Sequence, residues 1–285
     1  MKILLTGASG YVAKNLQIFF LKKNYKIFVI SRKNIKLKKS KLFKIDISRK
    51  NSFKKIKLKY VDYVIHTSFI KKKTQSSESN KLAKNINIAN NLVFLLKKLK
   101  FKKLINLSTS SLYPNISGNF SEKAKINFLN NNDYDYALAK YYTEIILNLN
   151  FPSRKLVHLR IGQIFGNGEK DSILSKMKNS IKRKNFIEIF GNGKRKISIV
   201  HIDKLIKYIL LTLKKNISGT FNVADYTISL NKLSLFFKNK YGNSKTQIKI
   251  KNLIFKNPRF NIIGTKFFKN VNLKQPRLEN ILNEI

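Results

Sequence analysis

The chain has 285 residues, 43% of them hydrophobic, enough to bury one large α/β domain or a large domain with a smaller companion. It has no cysteine, which excludes disulfides, thiolate zinc sites and cysteine nucleophiles. Against 14 Asp+Glu stand 59 Lys+Arg, a formal charge of +45, which raises the question of a polyanionic partner.

All but eight of those basic residues are lysine, and Asn, Ile and Phe are also abundant. Drift towards A/T-rich codons accounts for all of these excesses together, whereas nucleic-acid binding accounts only for the charge, so nucleic acid is not expected as a partner. No apolar run reaches the length of a membrane span. The first strand begins almost at residue 1, leaving no room for a targeting peptide, and the expected compartment is the cytosol.

Ile3, Leu4 and Leu5 form an apolar run that suits a strand buried on both faces. Gly7 and Gly10 follow, bracketing Ala8 and Ser9, and Val12, Leu16, Phe19 and Phe20 then recur at helical spacing. A strand, a glycine turn and a helix whose N-terminal amides face that turn make an anion site. Further strands are predicted at Lys26–Ile30, Leu42–Ile47, Val61–Thr67, Lys103–Leu107 and Leu156–Ile161, with helices near 82–99 and 136–149. This alternation predicts a doubly wound parallel sheet over residues 1–165.

Beyond it the rhythm loosens. A helix near Ile173–Lys184, a strand at Phe186–Phe190, an apolar segment Ile197–Ile202, a helix near Lys204–Leu213 and a strand-like Thr220–Val223 suggest a smaller α/β substrate lobe over 166–285, some of whose segments return to the first domain. The run Lys71-Lys72-Lys73 and the cluster Lys97–Lys103 read as solvated faces.

Tyr136 and Lys140 stand at i and i+4, on one face of a helix. An adjacent ammonium stabilises a phenolate, so this phenol is a candidate acid or base near neutral pH. Chance alone supplies about two such pairs in a chain this rich in lysine, and the other is Tyr241 with Lys245. Context favours Tyr136, because it follows the hydroxyl cluster Ser108–Ser111 at the C-terminal end of a predicted strand, the functional edge of such a sheet. His66, His158 and His201 have no second ligand at metal spacing, and no metal is expected.

The chain resembles the extended short-chain dehydrogenases/reductases, of the NAD-dependent epimerase/dehydratase type that modifies nucleotide-activated sugars. The resemblance rests on Thr6–Gly10, Asp46-Ile47, Val64–Ser68, Ser108–Tyr113, Tyr136–Glu144, Leu159–Gly166, Ile189–Gly193, Val200–Asp203 and Thr220–Val223, which follow one another in family order. It implies a Rossmann domain, an NAD(P) cofactor, a nucleotide-sugar substrate and a homodimer formed through the helices near 82–99 and 136–149. It makes Tyr136 the acid/base, Lys140 its pKa-lowering partner and ribose ligand, and Thr109 the hydroxyl that hydrogen-bonds the reacting sugar oxygen. It sets Gly7, Ser9, Gly10, Tyr11 and Val12 against the pyrophosphate, Asp46 and Ile47 against the adenine, and Thr67, Ser68 and Asn85 near the nicotinamide.

Several positions depart from the family pattern. Ala13 replaces the third glycine of the fingerprint. Gln163 stands where an Asn usually lies near the substrate diphosphate, and Ile197 where an arginine usually clamps the nucleotide, leaving Lys194, Arg195 and Lys196 as substitutes, Arg195 foremost. Ser31 and Arg32 end the second strand without an acid, which leans towards the 2′-phosphate of NADP(H) over NAD(H). Ser110 and Ser111 cannot supply the acid and base that family dehydratases carry after their Thr, which leaves 4-keto reduction, favoured, or epimerisation. The competing expectation is a family member without catalysis, acting as an RNA-binding or structural protein.

Overall fold

A computed structural model describes residues 1–35, 40–49, 51–70, 79–128, 131, 133–251 and 258–279. Its elements are β1 (Lys2–Thr6), α1 (Tyr11–Lys22), β2 (Lys26–Ser31), β3 (Ser40–Lys44), β4 (Tyr63–His66), α2 (Ser79–Lys97), β5 (Lys103–Thr109), β6 (Gly118–Phe120), α3 (Tyr134–Asn150), β7 (Leu156–Ile161), β8 (Gln163–Phe165), α4 (Ile173–Lys184), β9 (Phe186–Phe190), β10 (Lys196–His201), α5 (Ile202–Lys214), β11 (Gly219–Val223), β12 (Tyr226–Ser229), α6 (Leu230–Tyr241), β13 (Gln247–Lys251), β14 (Phe260–Ile262) and α7 (Thr265–Asn270). Seven strands form one sheet in the order β11-β7-β5-β4-β1-β2-β3, the Rossmann arrangement. From β3 through β5 each neighbouring pair runs parallel. The chain winds outward through β2 and β3, then returns to lay β4 against the other side of β1. The loops after β1 and β4 therefore meet where the strand order reverses, the place at which such sheets bind ligands.

The chain divides into two compact units, one of residues 1–112, 131–160 and 206–220, the other of 113–130, 161–205 and 221–285. In the first, Leu4, Phe28, Val64, Leu92, Leu104 and Leu156 belong to one buried core, as the near-continuous apolar runs of parallel strands require. α2 and α3 pack on each other, and the Tyr142 hydroxyl donates to Asn90 Oδ1 across them at 2.7 Å. In the second, Phe165, Met177, Ile187, Ile197, Ile199, Ile228 and Phe237 form a core among β8–β10, β12, α4 and α6. Among the described residues no helix is long and apolar enough to cross a membrane.

Lys103 corrects the expectation of a solvated lysine cluster. It is buried at the start of β5, and its Nζ donates to the carbonyls of Asn216 and Ile217 just beyond α5, at 2.8 Å each. Two carbonyls of the turn after α5 meet the ammonium, which makes its burial tolerable, although that burial pushes the lysine's pKa down. Lys97, Lys98, Lys100 and Lys102 are exposed as expected, and Lys71–Lys73 lie outside the described residues.

Candidate active site

The glycine turn is built by close approach. Gly7 has φ +72°, and a Cβ there would lie 2.7 Å from both Cα and N of Ser68 and 2.8 Å from Thr67 Oγ1. Only glycine fits both the left-handed backbone and the space. The Gly10 amide donates to the Gly7 carbonyl at 2.9 Å, closing the turn. Buried Gln17 ties the turn to α1, its Nε2 donating to the carbonyls of Ala8 (2.7 Å) and Ala13 (2.9 Å). Ala13 is fully buried, so its extra methyl is accommodated within the packing. α1 begins at Gly10 with no side-chain cap and no acid in its first turn, and its positive end faces the turn. Ser9 is exposed, and Tyr11 and Val12 are half-buried.

Arg32 and Asp46 leave adjacent strand ends. β3 ends at Lys44, so Asp46 and Ile47, expected within a strand, belong to the following turn; Ile45 closes the pairing with an amide donated to Ser31 at 2.9 Å. Burial pushes the Asp46 carboxyl up, but the Ser48 hydroxyl and amide, at 2.6 and 3.0 Å, with Arg32 and Arg49 nearby, bring it below the ordinary value. Ile47 is a core residue whose carbonyl accepts from Asn91 at 2.7 Å.

After β4, Thr67 donates its hydroxyl to the Thr6 carbonyl at 2.7 Å, and Ser68 is buried. Asn85 of α2 accepts the Ile70 amide at 2.9 Å and donates to the Ile70 carbonyl at 3.2 Å. Its amide thus pins the loop. His66, at the end of β4, is buried against the Thr6 hydroxyl at 2.8 Å, and burial followed by the Lys140 ammonium pushes its pKa down to about 3.

β5 runs two residues further than expected and carries Ser108 and Thr109 as its last members. Thr109 is buried, accepts the Ser111 amide at 3.1 Å, donates its hydroxyl to Ser111 Oγ at 3.2 Å and lies near enough to the Tyr136 phenol to act on its pKa. Tyr136 lies in the first turn of α3. One turn on, buried Lys140 donates its Nζ to the Leu107 carbonyl at 2.7 Å. Burial pushes the Tyr136 phenol above its ordinary value, the Thr109 hydroxyl pulls it down, and Asp133 raises it further. The net direction is up, in contrast to the lowering expected from Lys140, because desolvation outweighs the hydrogen bond. Beneath these residues Ser108 donates to Glu144 Oε1 at 2.5 Å, and Arg160 of β7 pairs with Glu144 Oε2 at 2.8 Å, all three buried.

Besides Thr109, the candidate substrate residues lie in the second unit. Gln163 opens β8, half-buried, opposite Ile199 of β10. Arg195 is exposed before β10, where its carbonyl accepts the Leu230 amide at 2.9 Å. Ile197 is 8% exposed and belongs to the core of this unit, so the replacement of an arginine here fills an apolar interior.

The sequence profile of the NAD dependent epimerase/dehydratase family matches residues 3–224. The chain belongs to that family. A GDP-L-colitose synthase of Yersinia pseudotuberculosis is 26% identical over 258 residues, 80% of this chain and 79% of that protein. A dTDP-D-glucose 4,6-dehydratase of Dictyostelium discoideum is 25% identical over 265 residues, 80% of this chain and 59% of that longer protein. The fold is that of UDP-glucuronic acid 4-epimerase from Bacillus cereus, solved with UDP-glucuronic acid and NAD (TM-score 0.82, 22% identity, 100% of this chain and 97% of that one). It is also that of ADP-L-glycero-D-manno-heptose-6-epimerase from Helicobacter pylori (TM-score 0.79, 18% identity, 100% and 96%).

The epimerase/dehydratase family takes a nicotinamide dinucleotide, and this chain's residues fit one: a Cβ-free cradle at Gly7 and an uncapped helix N-terminus would hold a pyrophosphate. Sequence reasoning missed Phe69, whose ring lies against Tyr136 and Lys140, and the Ser108–Glu144–Arg160 network. The network left a signal, since Glu144 falls four residues after Lys140, on the same face of the helix, and a buried acid needs a partner. Phe69 left none, because it lies in a loop far from Tyr136 in sequence.

Proposed function

We propose that this family member is an NAD(P)H-dependent oxidoreductase that reduces a 4-keto nucleotide sugar. The observation that carries the reading is the placement of the Thr109 hydroxyl, at the C-terminal end of β5, close enough to the Tyr136 phenol to lower its pKa, with Lys140 one helical turn away on α3 and held by the Leu107 carbonyl. When bound, the reduced cofactor supplies the hydride. Tyr136 gives its phenolic proton to the carbonyl oxygen, so that carbon gains hydride and oxygen gains a proton. Thr109 holds that oxygen by its hydroxyl, and Lys140 anchors the cofactor ribose. Ser110 and Ser111 offer no carboxylate to remove a proton from the sugar ring, which speaks against dehydration.

Gly7, Ser9, Gly10, Tyr11 and Val12 take the pyrophosphate in this reading, Asp46 and Ile47 the adenine side, and Thr67 and Ser68 the nicotinamide side. Asn85 contributes by pinning the loop. Arg32, exposed at the end of β2 where an acid would exclude a 2′-phosphate, favours NADP(H). Gln163 and Arg195 are the substrate-binding residues. Nucleotide-activated sugars in the names of both relatives support that substrate class. α2 and α3 leave Phe94 and Leu149 exposed (55% and 75%), a surface for a homodimer of this cytosolic enzyme. A thermal-shift screen of NAD(H), NADP(H) and a panel of nucleotide sugars tests the reading. It expects the largest stabilisation with NADP(H), and no shift with either cofactor defeats it.

A further inference from the structure

Phe69 stands in the loop after β4 and lies against both Tyr136 and Lys140 of α3. Its ring meets the Tyr136 ring edge-to-face, centroids 4.8 Å apart at 85°, and the Lys140 Nζ lies 5.1 Å from its centroid, over the face. Lys140 is only 6% exposed, and its Nζ donates to the Leu107 carbonyl at 2.7 Å. A ribose hydroxyl that accepts from this ammonium must come to about 3 Å from the nitrogen, so the ammonium has to be uncovered first.

The groups against it differ in how readily they can leave. The Leu107 carbonyl is fixed within β5, and His66, which also faces the ammonium, is buried at the end of β4. Phe69 is half-buried and belongs to a loop. The backbone around it is tied down, Thr67 by its bond to the Thr6 carbonyl and Ile70 by Asn85 at both its amide and its carbonyl. What can move is therefore the ring, by turning about its own side-chain bonds while the loop stays in place.

We propose that the Phe69 side chain gates the nicotinamide half of the dinucleotide site: it is closed over Lys140 and Tyr136 in this structure and must swing aside for a cofactor ribose to reach Lys140. The inference rests on the reading of Lys140 as the ribose ligand. Two modest attractions hold the gate closed, the edge-to-face pair and the ammonium over the ring face. A site open in about one molecule in ten binds its ligand about tenfold more weakly than one that is always open. That penalty falls only on a ligand long enough to reach Lys140. The glycine turn meets this loop at Thr67 and Ser68, so a ligand that ends at the pyrophosphate does not need the ring to move.

The experiment is a fluorescence titration of the full-length protein, wild type and Phe69→Ala, with NADPH and NADH. ADP and adenosine 2′,5′-bisphosphate, which lack the nicotinamide half, are titrated alongside by calorimetry. Phe69→Ala is expected to bind the reduced dinucleotide about tenfold more tightly, about 1.4 kcal/mol, while the adenosine probes bind both proteins alike. Phe69→Leu, smaller and without a π face, gains part of that increase and decides the matter should alanine cost the protein its fold. Dinucleotide affinity that is unchanged or weaker in the folded variants, with the adenosine probes still bound, overturns the gate alone. A gain shared equally by the adenosine probes overturns it too, since that marks a general loosening of the site. If neither class of probe binds either protein, the cofactor reading falls and the gate falls with it.

Discussion

His66 makes the stability of the first unit depend on pH in a direction and range fixed by its burial. In the folded protein its imidazole titrates at about 3, against an ordinary 6.5, because burial and then the Lys140 ammonium disfavour the charged ring. Between those values the unfolded chain binds a proton that the folded chain does not. The stability this neutral ring preserves is therefore complete above about pH 6.5 and is lost as pH falls towards 3. Integrated from pH 7 to pH 5, the linkage removes about 2 kcal/mol, and the figure barely changes for any folded value below about 4. Asp46, Asp62 and Glu169 are held below ordinary carboxylate values and contribute their losses at lower pH. His158 shares the sign of His66, since burial lowers it too, so the comparison must be made with a variant. Urea denaturation of the wild type and of His66→Gln at pH 7 and pH 5 isolates the effect, because glutamine can still accept the Thr6 hydroxyl. The wild type should lose about 2 kcal/mol more than the variant over that interval. Equal losses would refute the reasoning.

Arg160→Met strips buried Glu144 of its cationic partner and should cost about 3–5 kcal/mol in chemical denaturation, part of it recovered in the double variant with Glu144→Gln; a loss under about 1 kcal/mol would mean the pair is solvated. Gly7→Ala forces a left-handed alanine against the Ser68 backbone, and should both destabilise the protein and weaken dinucleotide binding at least about tenfold, with Gly10→Ala, whose Cβ would meet only the Gly7 carbonyl at 3.2 Å, the milder change. Wild-type affinity in Gly7→Ala, read by titration with the dinucleotide, would contradict the cradle. Ile197→Arg puts a charge into the core of the second unit and should lower its stability by about 3 kcal/mol or more in urea. Undiminished stability with tighter nucleotide-sugar binding would show instead that this side chain reaches substrate.

The first half of the fold was legible because buried parallel strands announce themselves. Ile3–Leu5 is an apolar run whose burial needs no knowledge of partners, and Leu156–Ile161, Ile173–Lys184 and Phe186–Phe190 match their expected bounds. The short strands escaped. Gly118–Phe120 pairs with Phe260–Ile262, and three residues carry no period; what makes them strands is a partner far along the chain. Thr220–Val223, read only as strand-like, proved to be an edge strand of the large sheet, a place no local pattern could assign. At the candidate site, Thr109, Tyr136 and Lys140 were readable from the order of motifs and from helical spacing. Their electrostatics were not: the phenol's pKa is set by how deeply it is packed, and the Lys140 charge is directed by a carbonyl and an aromatic ring that enter from β5 and the β4 loop. Lys103 makes the same point, since an unremarkable member of a lysine cluster is buried where the turn after α5 offers it two carbonyls.

The central claim is that Tyr136 delivers the proton in a nicotinamide-dependent reduction. Its most direct measurement is the decay of NADPH absorbance with a 4-keto nucleotide sugar, comparing wild type with Tyr136→Phe. The account predicts turnover by the wild type and a loss of about 10² or more in kcat for the variant, with cofactor affinity retained. Unchanged turnover in Tyr136→Phe would contradict it.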